Sequence, residues 1–202
     1  MTRALRVPGS RSAGVSDGAP RSPRPGWTEA YVALGSNLGD RARHLARAVR
    51  ALREIPEVCG VEVSALYETD PIGPPPQGAY LNAVARLATR LAPHALLAHL
   101  LRIESRAGRV RGPERNLPRT LDLDLLLYGQ RTLRTPELEV PHPRLHERGF
   151  VLEPLCDLAP ELLHPTLGET IEVLARRVRD PAAVRRRSAG ADADGSAASA
   201  RR

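Results

Sequence analysis

The sequence predicts a mixed α/β or α+β domain with helices packed on a sheet. Two patterns point there. Segments whose apolar residues alternate interleave with segments whose apolar residues recur at helical spacing, and that interleaving is the mark of helices covering strands. At 202 residues the chain makes one domain of ordinary size, with 42% apolar and 26% charged residues in globular proportion. Aromatics are only 3%, so the core is expected to be mostly Leu, Val, Ala and Ile.

The elements follow in order. Residues 1–27 are rich in Gly, Pro, Ser and Arg, carry no hydrophobic period and read as a disordered extension. They lack the apolar core of a secretory signal and any amphipathic period, so a targeting peptide is disfavoured. Glu29–Leu34 reads as a short buried strand and Gly35–Gly39 as a turn. Asp40 then takes a helix N-cap position, followed by Leu45, Val49, Leu52 and Ile55 at helical spacing. Val58–Tyr67 alternates, with Val61, Val63 and Ala65 on one face, which predicts one strand. Four prolines and two glycines make Asp70–Gly78 a loop. Tyr80–Leu91 reads as a strand pairing with the first long one. Pro93 opens a helix to about Ala107 with an apolar stripe of Leu96, Leu97, Leu100 and Ile103. Gly108–Arg119 is polar and rich in Arg, and Leu121–Tyr128 is the third strong strand. Short strands or loops run to Pro143, and helical segments follow near Phe150–Leu158 and Gly168–Arg177. The domain is thus expected over residues 28–178, with a low-complexity basic tail over 179–202 that loses structure from about Arg185.

Charge and composition narrow the function classes. All 30 basic residues are Arg, and the formal net charge is +7. Residues 1–27 hold five Arg and one acid, and residues 179–202 hold six Arg and three acids. That leaves 19 Arg against 19 acids in residues 28–178, so bulk charge makes no case for a nucleic-acid partner. No apolar run approaches the roughly 18 residues of a membrane span. Cys59 and Cys156 make neither a disulfide framework nor a zinc site. Lack of a membrane or secretory signal points to the cytoplasm, and no nucleic-acid or membrane partner is expected.

The sharpest chemical signal is Arg119-Thr-Leu-Asp-Leu-Asp-Leu-Leu-Leu-Tyr128. Side chains alternate along a strand, so Asp122 and Asp124 share one face while Leu121, Leu123 and Leu125 enter the core. Two carboxylates so placed repel one another and invite a cation between them. Mg²⁺ suits them, since it takes oxygen ligands and phosphates; a solvated face paired with Arg is the other reading. Arg102, Arg106, Arg109, Arg111, Arg115 and Arg119 cluster just before the pair. Guanidinium groups bind phosphate oxygens bidentately, which fits phosphoryl transfer; a nucleic-acid-binding or merely solvated loop is the alternative. Gly35-Ser-Asn-Leu-Gly39 is not a phosphate-binding Walker A loop, because the Gly-Lys-Ser/Thr ending is missing. His142 lies in a proline-flanked segment with no partner evident from spacing.

Seven ordered blocks carry a family resemblance: Ala33-Leu-Gly-Ser-Asn-Leu-Gly39, Tyr67-Glu-Thr-Asp-Pro71, Tyr80-Leu-Asn-Ala83, Gly108-Arg-Val-Arg111, Pro118-Arg-Thr-Leu-Asp-Leu-Asp124, Pro141-His-Pro-Arg144 and Glu147-Arg-Gly-Phe150. Over about Ala30–Leu174 the sequence resembles the 6-hydroxymethyl-7,8-dihydropterin pyrophosphokinases of folate biosynthesis. The resemblance implies a ferredoxin-like fold with a mostly antiparallel sheet covered by helices. It implies transfer of pyrophosphate from ATP, the co-substrate, to 6-hydroxymethyl-7,8-dihydropterin with release of AMP. Carried over by position, Asp122 and Asp124 hold two Mg²⁺ ions, and Arg109 and Arg119 meet transition-state charge. Glu104, Arg111, His142 and Arg148 lie on the ATP side. Tyr80 and Phe150 sandwich the pterin, with Thr69, Pro71, Ile72 and Asn82 lining its pocket. The sequence departs from the family at Asn116-Leu117, where members commonly carry Trp-Gly over the site. Two rival readings are an RNA-binding module and an inactive relative. The first leaves the Asp pair unexplained and offers no aromatic-rich strand. The intact Asp pair and His142 weigh against the second.

Overall fold

The computed structural model describes residues 25–71, 77–109, 117–180 and 183–187. Eight strands and four α-helices occur among them: β1 (Thr28–Ser36), α1 (Arg41–Arg53), β2 (Val58–Val63), β3 (Tyr67–Thr69), β4 (Tyr80–Thr89), α2 (Pro93–Arg106), β5 (Asp122–Tyr128), β6 (Leu133–Arg134), β7 (Glu139–Val140), α3 (Gly149–Leu158), α4 (Ile171–Val178) and β8 (Val184–Arg186). The main sheet runs β5-β1-β4-β3-β8, with β2 also on β4, and every pairing is antiparallel. A small hairpin of β6 and β7 stands apart.

Helices cover both faces, two on each. Leu45 and Leu52 of α1 and Leu96, Leu100 and Ile103 of α2 pack against Val32, Leu34, Leu87, Leu123 and Leu125. Val151, Leu152 and Leu155 of α3 and Ile171 and Leu174 of α4 pack against Tyr31, Val84, Leu126 and Leu127. Each fully buried Leu contributes roughly 1.5–3 kcal/mol, so these two layers hold the sheet. The α1 stripe follows the predicted spacing, and its N-cap is Asp40, whose side chain accepts from the Arg43 N–H at 3.0 Å. No helix among the described residues is long and apolar enough to cross a membrane.

Three expectations need correction. The single strand Val58–Tyr67 is two, β2 and β3, both lying along β4. Ser64 breaks it: its hydroxyl accepts from the Val84 N–H at 3.0 Å, and the next N–H, of Ala65, leaves the sheet to donate to Asp157 at 3.0 Å. The tail is not structureless at Arg185–Arg187, since β8 adds a strand to the free edge of β3. Low complexity does not preclude pairing where an edge presents unsatisfied backbone groups. Trp27, assigned to the extension, is half-buried with the Arg90 guanidinium 5.5 Å from its ring centroid. The remaining residues of the two tails, and the loop residues 72–76 and 110–116, lie outside the described residues.

Candidate active site

On the face carrying α3 and α4, the two helices pack over Tyr31, Val84, Leu126 and Leu127. One cross-strand row runs Tyr67, Asn82, Gly35, Asp122 through β3, β4, β1 and β5. Cross-strand partners share a face, so Asn82 and Asp122 look out two strand spacings apart, roughly 9–10 Å. Gly35 keeps the floor between them open. A Cβ there would lie 3.1 Å from Asn82 Oδ1 and 3.8 Å from the Asp122 Cβ.

Asp122 is gripped by two arginines. Arg109 bridges Glu104 and Asp122 through one guanidinium nitrogen, and Arg119 Nη1 donates to Asp122 Oδ2 at 2.6 Å. Glu104 is 1% exposed, and its carboxylate also accepts from the Leu123 N–H at 2.8 Å. Glu104 therefore ties α2 to β5 and aims Arg109 at the strand. The Arg119 backbone is clamped from the turn after β1. Its N–H donates to Asn37 Oδ1 at 2.7 Å, and its carbonyl accepts from the Asn37 N–H at 3.1 Å. Asn37 Nδ2 donates to Gln77 Oε1 at 2.8 Å, and the Tyr80 hydroxyl donates to the same oxygen at 3.1 Å. Asn37 and Gln77 thus join the arginine side to the aromatic side. Neither was singled out from sequence; the one available signal was the polar Asn37 inside an otherwise plain turn.

Asp124 sits deeper, beside the α3–α4 core. Burial, reinforced by the Asp122 charge, pushes its carboxyl up to about 6, while Arg148 pulls the other way. The pairing of β1 with β5 slips by one residue at Leu126, whose carbonyl accepts from the His142 N–H at 2.8 Å. That slip seats His142 against the sheet. Burial, with Arg148 adding to it, lowers the imidazole to about 4, so the ring is neutral at pH 7. His142 Nδ1 accepts from the Arg144 N–H at 3.1 Å, which assigns the ring proton to Nε2. Nε2 lies 3.5 Å from Arg148 Nη1. Arg148 thus stands between His142 and the Asp124 charge, a cationic group beside a neutral imidazole.

Of the residues expected around a flat ring, Thr69, Tyr80 and Asn82 lie on β3 and β4, and Phe150 lies at the start of α3. Thr69 and Tyr80 are paired across the strands, and Asn82 Nδ2 donates to Thr69 Oγ1 at 2.8 Å in a buried contact. That bond leaves the Asn82 carbonyl oxygen for a ligand. Phe150 is half-buried in the first turn of α3, with the Arg148 guanidinium 5.7 Å from its ring centroid. Pro71 is half-buried at the end of the described segment, while Ile72, Arg111 and Asn116 lie outside the described residues. A cavity of about 380 Å³ is lined in part by His142, and one of about 270 Å³ lies between α1 and α2.

The family model described as 7,8-dihydro-6-hydroxymethylpterin-pyrophosphokinase matches residues 31–160. The 2-amino-4-hydroxy-6-hydroxymethyldihydropteridine pyrophosphokinase of Pseudomonas aeruginosa is 48% identical over 145 residues, covering 72% of this chain and 89% of that protein. Its namesake in Bacillus subtilis is 44% identical over 133 residues, covering 66% and 79%. A solved structure described as HPPK-DHPS in complex with substrates superposes with a TM-score of 0.61 at 14% identity, over 82% of this chain and 47% of that one. The chain spans about half the length of that protein, and at this identity the likeness speaks for the fold. With the family model spanning most of the described sheet, this chain belongs to the 7,8-dihydro-6-hydroxymethylpterin-pyrophosphokinase family.

Proposed function

We propose that the sheet face between Asn82 and Asp124 is where this chain moves a pyrophosphoryl group from ATP to 6-hydroxymethyl-7,8-dihydropterin, in folate biosynthesis. The single observation that carries the site is the row joining Asn82, Gly35 and Asp122. It sets a hydrogen-bonding edge for a flat ring beside a carboxylate pair ringed by guanidinium groups. In the transfer the hydroxymethyl oxygen gives up its proton to water and bonds to the β-phosphorus, and the bond from that phosphorus to the α–β bridging oxygen breaks. AMP leaves with the bridging oxygen.

Asp122 and Asp124 are all-oxygen donors on one face, and the burial and mutual repulsion that raise Asp124 favour a cation there. No group of three or more His, Cys, Asp or Glu suited to a metal occurs among the described residues. As carboxylate oxygens the pair fits Mg²⁺, whose remaining ligands would come from phosphate and water, and we assign two ions to it. When bound, Mg²⁺ neutralises phosphate charge and favours the ionised form of the attacking hydroxyl. The chain's own groups do the rest. Arg109 and Arg119 exchange Asp122 for phosphate oxygens, which leaves the carboxylate to the cation. His142 Nε2–H and Arg148 converge on a further phosphate oxygen. Thr69 holds the Asn82 amide so that its carbonyl meets the pterin edge, and Tyr80 and Phe150 flank the ring. Arg111 and Ile72 keep the ATP and pterin roles that the resemblance implies. Positioning and electrostatics supply the catalysis. Both substrates are small polar molecules, and the proposed setting is a cytoplasmic monomer.

The test is AMP formation from ATP and Mg²⁺ with and without the pterin, followed by chromatography. Pterin-dependent AMP with pterin diphosphate as co-product is expected. Asp122→Ala keeps the fold and loses the transfer. A folded Asp122→Ala protein with near-normal activity sinks the metal assignment.

A further inference from the structure

The C-terminal strand lies against both sides of the proposed pterin slot. β3 is three residues long, with β4 on one edge and β8 on the other. Thr69 therefore pairs with Tyr80 on one side and with Val184 on the other. Beyond the ladder, the Arg187 N–H donates to the Leu66 carbonyl at 2.8 Å. Arg185 forks onto Asp70, the residue after β3, with nitrogens 3.0 and 3.2 Å from its two oxygens. β8 also meets α3. A Cβ at Gly149 would lie 3.5 Å from Val184 Cγ2, so Val184 fills the niche next to Phe150. Arg186 reaches Asp157 of α3 at 3.7 Å, and Asp157 accepts from the Tyr67 hydroxyl at 3.1 Å.

From these contacts we infer that the segment 183–187 is a positioning element for the pterin slot, setting the separation between Phe150 on α3 and the Thr69–Tyr80 pair on the sheet. A three-residue strand paired on one edge alone is weakly held. With β8 in place, Thr69 is fixed from both sides, and the same strand wedges the start of α3. None of residues 183–187 needs to touch a substrate; they act through Thr69, Asp70 and Phe150. The inference rests on the reading of Thr69, Tyr80, Asn82 and Phe150 as the pterin pocket.

The test is steady-state kinetics on full-length variants, with folding checked by thermal unfolding. Replacing both Arg185 and Arg187 by Pro removes the fork and the N–H groups that a strand needs. The expected result is a pterin KM raised about tenfold, with the ATP KM within about twofold of the parent. Arg185→Lys, which keeps the charge but not the fork, recovers only part of the loss seen in Arg185→Ala. A folded double-Pro protein with an unchanged pterin KM overturns the inference, and so does an equal rise in both KM values. If the double-Pro chain does not fold, Val184→Gly decides in its place: a selective rise in pterin KM supports the brace and no change refutes it. Asn82→Ala separates the two readings. If it leaves the pterin KM unaltered, the pocket assignment has failed; if it raises that KM while the β8 variants do not, the brace alone has failed.

Discussion

Asn37→Ala tests the clamp that aims Arg119 at Asp122. Asn37 is 6% exposed, and its side chain makes two hydrogen bonds, from the Arg119 N–H at 2.7 Å and to Gln77 Oε1 at 2.8 Å. Truncation strands the Arg119 N–H beneath the turn, costing about 1–3 kcal/mol. Loss of the Gln77 bond adds roughly 0.5–1.5 kcal/mol. Urea unfolding is expected to show a destabilisation of about 2–4 kcal/mol with an unchanged slope. The catalytic effect comes through Arg119, whose guanidinium is held by its own backbone clamp and by Asp122. A displacement of order 1 Å there lowers kcat/KM by about 10²-fold. A double-mutant cycle isolates the cause. In an Arg119→Ala background the backbone N–H persists, so the stability loss from Asn37→Ala remains while its kinetic loss vanishes. An Asn37→Ala protein with stability within about 0.5 kcal/mol of the parent, or a kinetic loss that persists without Arg119, refutes the reasoning.

Three further outcomes follow from the same geometry. Glu104→Gln keeps an acceptor for the Leu123 N–H but removes the charge holding Arg109, so kcat falls about tenfold while the pterin KM, read in the same assay, stays level. Gly35→Ala brings a Cβ to 3.1 Å from Asn82 Oδ1; the pterin KM rises and the ATP KM does not, and equal changes in both mean the row is not shared as described. Asp124 has its folded pKa raised from 3.8 to about 6, so the folded state binds the proton more tightly and stability falls as pH rises through that interval. In metal-free buffer Asp124→Asn therefore gains on the parent between pH 4 and 7, on the order of 1–3 kcal/mol, and a gap that does not change with pH contradicts the burial argument.

Much of the sheet and the shared face of Asp122 and Asp124 were legible in the sequence, because both depend on local periodicity. Alternation along residues 121–125 puts Asp122 and Asp124 on one face whatever the strand pairs with, and the helical stripe from Leu45 to Leu52 needs only its own spacing. The Asp40 cap is equally local, reaching three residues ahead. Val58–Tyr67 shows where this stops. Its alternation is real, yet Ser64 interrupts the ladder by bonding to Val84, 20 residues away, and no local pattern marks that choice.

The polarity of the site was decided by contacts between distant segments. Asn37 finds the Arg119 backbone across 82 residues, and Arg185 finds Asp70 across 115. The orientation of His142 depends on one residue of slippage between β1 and β5, which turns the Leu126 carbonyl toward it. Each of these is a choice of register or edge, made when whole layers pack, and a register is a property of two strands that neither carries alone. Sequence alone thus determined which chemistry the chain carries: two carboxylates on one strand face and arginines crowded before them. Only the tertiary structure decided which arginine faces which carboxylate and which strand pairs with the free edge of β3, because those partners become neighbours only when the strands pair and the layers pack.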